Sequence, residues 1–317
     1  MAINQIQFQR GLPMAEFMER YGSQEKCEAA LMASRWPQGF ACPECGTAAH
    51  SLFRRETLLY LQCSACRYQC SIICGTIFES TKLALTKWFL AMHLLTQSKN
   101  NVSALELKRH LGVCYKTAWL LKHKVLEVMR ERESTRQLTG RVEMDDAYLG
   151  GELSDGKRGR GSQNKVPFVA AVQTTESGQP QLVCYSQQPF TNEAMSEFCA
   201  KSLALPLTVA SDGLACFSVV EEFGAVHERT VTGGGKASVK LPQHRAINTI
   251  LGNLKTSLTG TYHAFDFTKY AKRYLAEAQY RFNRRFDLSS ILSRLVVAAC
   301  ATSARPAHVI RMAEVRH

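Results

Sequence analysis

The chain has 317 residues, a hydrophobic fraction of 45%, a formal net charge of +12 and a pI near 9.2. This composition excludes disordered and fibrous proteins, and no apolar run approaches the roughly 18 residues of a membrane span. The positive charge favours a polyanionic partner. The N-terminal sequence lacks the basic-then-apolar layout of a signal peptide, so we expect a cytoplasmic protein without membrane association.

Basic and acidic residues are unevenly distributed along the chain. Residues 1–140 carry 18 Lys or Arg and 11 Asp or Glu, residues 141–240 carry 9 and 12, and residues 241–317 carry 12 and 4. An acidic centre between two basic segments fits a metal-dependent site that acts on nucleic acid. The alternative is ordinary solvated surface charge.

The N-terminal segment, residues 1–34, is predicted to be helical, with one or two short helices over residues 12–34. A zinc ribbon is predicted over residues 35–79. Two CxxC turns, with 17 residues between them, each point two thiolates at one tetrahedral ion, which predicts one structural Zn²⁺. Its predicted ligands are Cys42, Cys45, Cys63 and Cys66. Cys70 and Cys74 follow closely and could compete as ligands, but we interpret these two and the other six cysteines as small buried side chains.

Residues 80–137 are predicted to be helical and to contain a helix-turn-helix. The stretch VSALELKRHLGVCYKTAWLLKHKV has a helix, a turn around Gly112 and a second helix rich in basic and polar residues. In helix-turn-helix proteins the second helix enters the major groove, although helical hairpins with a glycine turn are also common elsewhere. The candidate DNA contacts on this helix are Tyr115, Lys116, Thr117 and Lys122.

From residue 138 onward the pattern changes to β-strands. Three strand-like runs (RVEMDDAYLGG, VPFVAAVQTT and QPQLVCYSQQ) precede a helix, a strand (PLTVASDG), a short helix, a strand (AVHERTV) and terminal helices. This order predicts an α+β chain with a ribonuclease H-like mixed five-stranded sheet and helices on both faces over residues 138–290. A helical tail follows over residues 291–317. The loop after the first strand adds three candidate DNA contacts, Lys157, Arg158 and Arg160.

Acidic residues occupy the first and fourth of these strands. Strand alternation puts Glu143 and Asp145 on one side of the first strand and Asp146 on the other. A carboxylate in an apolar strand costs free energy unless it is paired or binds a cation. Asp212 ends the fourth strand, which neighbours the first in a ribonuclease H-like sheet, so Asp145 and Asp212 are expected to converge. With a third oxygen ligand they would hold two Mg²⁺ (or Mn²⁺) ions for in-line phosphodiester displacement.

Three residues further along could complete this site. Asn248, separated from Asp212 by 35 residues, precedes an apolar-periodic run, where its side chain is a helix N-cap, a metal ligand through its carbonyl oxygen, or both. Lys255 follows on roughly the same helical face, as a solvated lysine or as a contact for a DNA phosphate. His263 either orients a water or a phosphate, or closes the helix.

A basic amphipathic helix is predicted over residues 269–286. Its aromatic side chains are expected to pack on the sheet. Its guanidinium groups, those of Arg284 and Arg285 among them, are expected to contact the DNA backbone, where phosphate contacts position a protein without reading sequence. Predicted DNA contacts therefore lie on both sides of the acidic centre.

Several motifs, taken in order, resemble one known family. They are YGSQEKCEAAL, RWPQGFACPECG, GTIFESTKLALTKWF, VEMDDAYLGG, ASDG, NLKTSLTGTYH and RYLAEAQYRFNRRF. Together they are similar to the bacterial insertion-sequence transposases of the DDE superfamily. The closer similarity is to the group that joins an N-terminal transposase zinc ribbon to a catalytic domain with Asn as the third catalytic residue, the place that Asn248 takes here.

The resemblance implies a DNA transposase that binds the terminal inverted repeats of an insertion sequence, cleaves its ends and joins the 3′-hydroxyl to target DNA. It implies that Asp145 bridges two metal ions, that Asp212 and Asn248 each complete one, and that Lys255 and His263 assist. Synapsis of two DNA ends implies a homo-oligomer, at least a dimer, in a bacterial cytoplasm. The alternatives are a nuclease of the same fold that cuts without joining, and a non-catalytic zinc-ribbon regulator that only binds DNA.

Overall fold

The computed structural model describes Ile6 and residues 8–150, 165–230, 241–262 and 266–312. The chain forms two compact units. The first combines Met1–Val128 with Phe286–His317, and the second is Met129–Arg285. Among the described residues, no helix combines the length and the apolar character needed to cross a lipid bilayer.

The first unit consists of helices and one small sheet. Its helices are α1 (Met14–Tyr21), α2 (Gln24–Arg35), α3 (Leu85–Gln97), α4 (Ala104–Leu111), most of α5 (Tyr115–Glu133), α10 (Ile291–Ala301) and α11 (Ala307–Met312). The Ser103 hydroxyl accepts the Glu106 amide at 3.1 Å and so caps the start of α4, and Gly112 ends α4 in the left-handed conformation. Two helices joined by a glycine turn, α4 and α5, therefore occupy the region of the predicted helix-turn-helix.

The small sheet of the first unit is an antiparallel ribbon. It has the strand order β1 (His50–Arg55), β2 (Leu58–Cys63), β3 (Gln69–Ser71). Leu61 in the central strand is fully buried, but most of β1 is exposed. A sheet that buries so few side chains needs another source of stability. A structural zinc ion, as predicted from the cysteines, would provide it.

The second unit is built on a mixed five-stranded sheet. Its strands are β4 (Leu138–Leu149), β5 (Val166–Thr174), β6 (Pro180–Gln187), β7 (Leu203–Ser211) and β8 (Val226–Arg229), in the order β6-β5-β4-β7-β8. Its helices are α6 (Asn192–Ser202), α7 (Val219–Glu222), α8 (Arg245–Thr261) and α9 (Phe267–Asn283). β4, β5 and β6 pair antiparallel, whereas β4, β7 and β8 run parallel. The predicted ribonuclease H-like fold class is confirmed.

The two faces of this sheet contact different helices. On β4, Val142 and Met144 belong to a buried apolar cluster with Met195 of α6. Glu143 points to the other face, where its carboxylate accepts the Ile247 amide of α8 at 2.9 Å. Alternation along β4 therefore separates an apolar face from a face that carries acidic residues.

Helix α9 covers the outer edge of β6. Asn283 accepts the Val183 amide at 2.8 Å and donates to the Val183 carbonyl at 3.0 Å, and Gln279 accepts the Tyr185 amide at 3.0 Å. Side-chain amides thus take the place of a neighbouring strand for these backbone groups. The expectation that the rings of α9 pack inward is confirmed for Tyr280, which is fully buried.

Candidate catalytic and metal sites

Two aspartates meet where the parallel strands β4 and β7 stop pairing. The last pair joins Met144 to Ser211, and Asp145 and Asp212 are the next residues of the two chain segments. Together with Asp146 they form a cluster in which one carboxylate oxygen of each residue lies within 4.8 Å of the others. The convergence of Asp145 and Asp212 that the strand order predicts is present in the structure.

Alternation predicts that Asp146 lies on the other side of β4 from Asp145, yet the Asp146 carboxylate also belongs to this cluster. Among the described residues, β7 accompanies β4 only as far as Met144, while β5 continues on the other side. The Asp146 amide donates to Oδ1 of Asp145 at 2.9 Å. From Asp145 onward, β4 has no paired β7 residue beside it in the described part of the chain. Side chains from both faces of β4 can therefore reach past the end of β7 toward Asp212.

The cluster concentrates negative charge in a partly buried place. Burial raises the pKa of Asp145 to about 7, with further increases from Asp212 and Asp146, while the Asp146 amide and the Lys255 charge lower it. A divalent cation would relieve this repulsion, and carboxylate oxygens are the donors that Mg²⁺ and Mn²⁺ prefer. The donor set therefore fits a divalent metal ion.

A chain of hydrogen-bonded side chains supports the loop that carries Asp212. The Ser211 hydroxyl, fully buried, lies 2.8 Å from Nε2 of His227, and Nδ1 of His227 lies 3.1 Å from Oε1 of Glu221. The Gly213 amide donates to the same hydroxyl at 3.3 Å, and Gly213 has a φ of +85°, which favours glycine. Sequence reasoning missed these residues because they are 6 and 16 positions apart and form no recognisable motif.

Helix α8 starts one residue after His244, which makes no side-chain capping bond within the described part of the chain. Asn248 therefore lies inside the helix, half-buried, and the interpretation of Asn248 as the N-cap is wrong. Lys255 lies two turns further along at an exposed position. Its charge lowers the pKa of Asp145, which indicates that this face of α8 looks toward the carboxylate cluster.

The candidate DNA contacts on α5 fall into two groups. Tyr115 and Lys116 are exposed at the start of the helix, and Thr117 is half-buried beside them. Lys122 is only 1% exposed, and its ammonium group donates to the Val102 carbonyl at 2.7 Å. The prediction that Lys122 contacts DNA is wrong because its ammonium group is buried and hydrogen-bonded within the first unit. Four other predicted site residues lie outside the described residues, namely Lys157, Arg158, Arg160 and His263.

The basic end of α9 is turned into the second unit. Arg284 is 5% exposed, and its guanidinium group donates to the Glu133 carboxylate and to the Tyr280 carbonyl at 3.1 Å. It also stacks over the Tyr280 ring, 3.5 Å from the ring centroid. Arg285 donates to backbone carbonyl groups at the start of β6. The prediction that both side chains contact the DNA backbone is wrong, because their charges have protein partners.

The four predicted zinc ligands converge in the ribbon. The Sγ atoms lie within 4.8 Å of one another, and two of the pairs are 3.5 Å apart; the four residues are Cys42, Cys45, Cys63 and Cys66. Four thiolates about 2.3 Å from one tetrahedral Zn²⁺ would be about 3.8 Å apart. Gly46 and Arg67, each directly after a cysteine pair, have left-handed φ angles of +73° and +65°, so both turns have the same shape. Cys70 and Cys74 are not part of the cluster that the described residues form.

Two family models match separate parts of this chain. Residues 137–283 match the family model of the ISXO2-like transposase domain, and residues 22–69 match that of the transposase zinc-ribbon domain. A relative from Halobacterium salinarum, named "Uncharacterized protein in transposable element ISH50", is 28% identical over 239 residues, which cover 69% of this chain and 78% of the relative. The first match contains the aspartate cluster and the second contains the four clustered cysteines. The chain therefore contains a transposase zinc-ribbon domain followed by an ISXO2-like transposase domain, which is consistent with an insertion-sequence transposase of the DDE superfamily.

Proposed function

We propose that this chain binds the terminal inverted repeats of an insertion sequence, cleaves the element ends and joins the freed 3′-hydroxyl to target DNA. The observation that carries the proposal is the convergence of Asp145 and Asp212 inside the matched transposase domain. Clustered, partly buried carboxylates cost free energy, and a protein that only binds DNA gains nothing from them. Their retention supports catalysis over the regulator alternative.

The proposed catalytic residues are Asp145, Asp212 and Asn248, assisted by Lys255 and His263. When bound, two Mg²⁺ or Mn²⁺ ions would activate the attacking oxygen and stabilise the leaving oxygen of an in-line displacement. Asp145, Asp212 and Asn248 would hold these ions. Because Asn248 is uncharged, the DNA phosphate provides more of the charge compensation. The exposed Lys255 ammonium would hold that phosphate beside Asp145.

The first unit is proposed to recognise the element ends. The ribbon (35–79) and the helical region (80–137) would bind the terminal repeats, with the exposed start of α5 in the major groove. Tyr115 and Lys116 would contact DNA there, next to Thr117. Synapsis of two ends requires at least a dimer, and we propose that the protein works in the cytoplasm.

Asp146 is a second candidate for the third metal ligand. Its carboxylate belongs to the same cluster as Asp145 and Asp212, and unlike Asn248 it carries a charge. We nevertheless propose Asn248, because Asp146 is adjacent to Asp145 on one strand, whereas α8 approaches the cluster from a different element. A ligand on a separate element surrounds the ions more completely.

The experiment is Mg²⁺-dependent nicking of a labelled duplex that carries the inverted repeats flanking the element. Asp145→Ala and Asn248→Ala are expected to bind this duplex normally and to lose at least about 100-fold in nicking rate. Asp146→Ala is expected to lose much less. Glu176→Ala removes an exposed carboxylate from a turn of the same unit and serves as the matched control.

Each alternative has its own outcome in this assay. If Asn248→Ala cuts normally and Asp146→Ala does not, Asp146 is the third ligand. If the intact protein nicks but never joins DNA, the chain is a nuclease. If every form binds the duplex and none cuts it, with or without Mg²⁺, the regulator alternative is correct.

A further inference from the structure

Glu143 is a buried carboxylate on the acidic face of β4 that the proposed catalytic set does not use. It is 2% exposed, and its Oε2 accepts the Ile247 amide at 2.9 Å, across 104 positions of sequence. Burial raises its pKa, whereas the amides of Ile247 and Ala246 lower it. A carboxylate facing the first amides of a helix is also stabilised by the helix dipole.

Helix α8 needs this contact because its own N-cap is weak. The first four amides of a helix lack partners inside the helix and are usually satisfied by a Ser, Thr, Asp or Asn at the N-cap. His244 occupies that position and makes no side-chain capping bond within the described part of the chain. Ala246 and Ile247 are buried, so water is a poor substitute for a protein acceptor there. Glu143 supplies the acceptor from a different element.

We propose that Glu143 is a positioning residue: by capping α8 from β4, it sets where Asn248 and Lys255 lie relative to Asp145. This inference rests on the proposed function of those three residues. Glu143 precedes Asp145 by two strand positions, about 7 Å along β4. Ile247 directly precedes Asn248 in α8. One hydrogen bond therefore joins close neighbours of two proposed metal ligands.

The far end of α8 is held separately. The Tyr262 hydroxyl donates to Oε2 of the buried Glu277 of α9 at 2.9 Å, and its ring packs edge-on against Tyr274 with centroids 4.5 Å apart. The apolar side chains between the two ends are buried, including Ile250 and Leu254. Loss of Glu143 should therefore loosen the first turns of α8, where Asn248 lies, without releasing the whole helix.

The test uses the full chain and two readouts that do not require DNA cleavage. Hydrogen exchange of the amides at residues 246–248 and Mn²⁺ affinity from an EPR titration are measured for Glu143→Ala and Glu143→Gln. The control is Met195→Ala, a cavity on the opposite face of the sheet. Glu143→Ala should speed exchange at these amides at least about fivefold, as loss of a cap does. It should weaken Mn²⁺ binding about 10-fold or more, as loss of a residue that orients a ligand does.

The conservative variant separates positioning from general destabilisation. Glu143→Gln keeps an acceptor oxygen and should recover most of the Mn²⁺ affinity. Met195→Ala should change neither the amide exchange rates at residues 246–248 nor the Mn²⁺ affinity. Faster exchange with unaltered Mn²⁺ affinity would overturn the positioning role, and unaltered exchange would overturn the cap itself. An intact protein that binds Mn²⁺ but never nicks DNA would instead count against the proposed function.

Discussion

Arg284→Met provides a sharp test of whether the basic end of α9 serves the fold or the DNA. The guanidinium group of Arg284 is the main cationic partner of Glu133, whose side chain is only 3% exposed. Removing this guanidinium group leaves the buried Glu133 carboxylate with two weaker partners. The Asn283 side-chain amide donates to Oε2 of Glu133 at 2.7 Å, and Nε of the partly exposed Arg136 lies 3.3 Å from Oε2. The variant also loses the stacking of the guanidinium group on Tyr280.

The expected cost can be worked out from these contacts. Breaking a buried ion pair by removing one partner typically costs about 3–5 kcal/mol. Because Asn283 and Arg136 still contact Glu133, we expect the lower limit, about 3 kcal/mol. In a domain of this size that lowers the melting temperature of the second unit by roughly 6–12 °C. The affinity for DNA at temperatures where the variant is folded should not change.

Calorimetry and DNA binding at several salt concentrations measure the two effects. Glu133→Gln combined with Arg284→Met should be more stable than Arg284→Met alone, because the double variant no longer buries an uncompensated charge. The reasoning is refuted if Arg284→Met melts like the intact protein while its DNA affinity falls and its salt dependence becomes shallower. That result would mean that the guanidinium group contacts phosphate.

Three further predictions address other parts of the chain. Cys63→Ser, or chelation of zinc, should unfold the ribbon and abolish binding of the terminal repeats while the second unit keeps its melting transition. Metal analysis of the intact protein should give one zinc ion per chain, and the absence of zinc would contradict the site. Lys116→Ala should weaken DNA binding at all sequences and reduce the salt slope by about 1, whereas Lys122→Met should destabilise the first unit instead. Burial lowers the pKa of His93, so the unfolded chain binds more protons than the folded one, and the first unit should lose stability as the pH falls below about 6.5. His93→Leu should flatten this dependence of the unfolding free energy on pH, and an unchanged slope would exclude His93 as its source.

The parts of the structure that could be predicted from sequence depend on local spacing. Two CxxC turns predict four converging thiolates because each turn is a short, self-contained shape. The order of strands and helices predicts the sheet, and in that sheet the ends of β4 and β7 are neighbours, which brings Asp145 and Asp212 together. Both predictions concern residues whose positions follow from their own element.

The parts that could not be predicted depend on partners far along the chain. A lysine or arginine looks the same in sequence whether it faces solvent or satisfies a buried group, so the roles of Lys122 and Arg284 appear only in three dimensions. Alternation places Glu143 on the same side of β4 as Asp145, but only the structure shows that its carboxylate accepts an amide of α8, 104 positions away. Alternation along β4 alone does not predict that the Asp146 carboxylate joins Asp145 and Asp212 in one cluster.

A strand-transfer assay distinguishes a transposase from a nuclease or a DNA-binding regulator. A labelled duplex with a pre-cut element end and a free 3′-hydroxyl is incubated with the full chain, Mg²⁺ and a supercoiled target plasmid. If the chain is a transposase, joined product should depend on Mg²⁺, disappear in Asp145→Ala and Asn248→Ala, and persist in Glu176→Ala. Normal binding of the pre-cut end with no joined product under any of these conditions would contradict the proposed function.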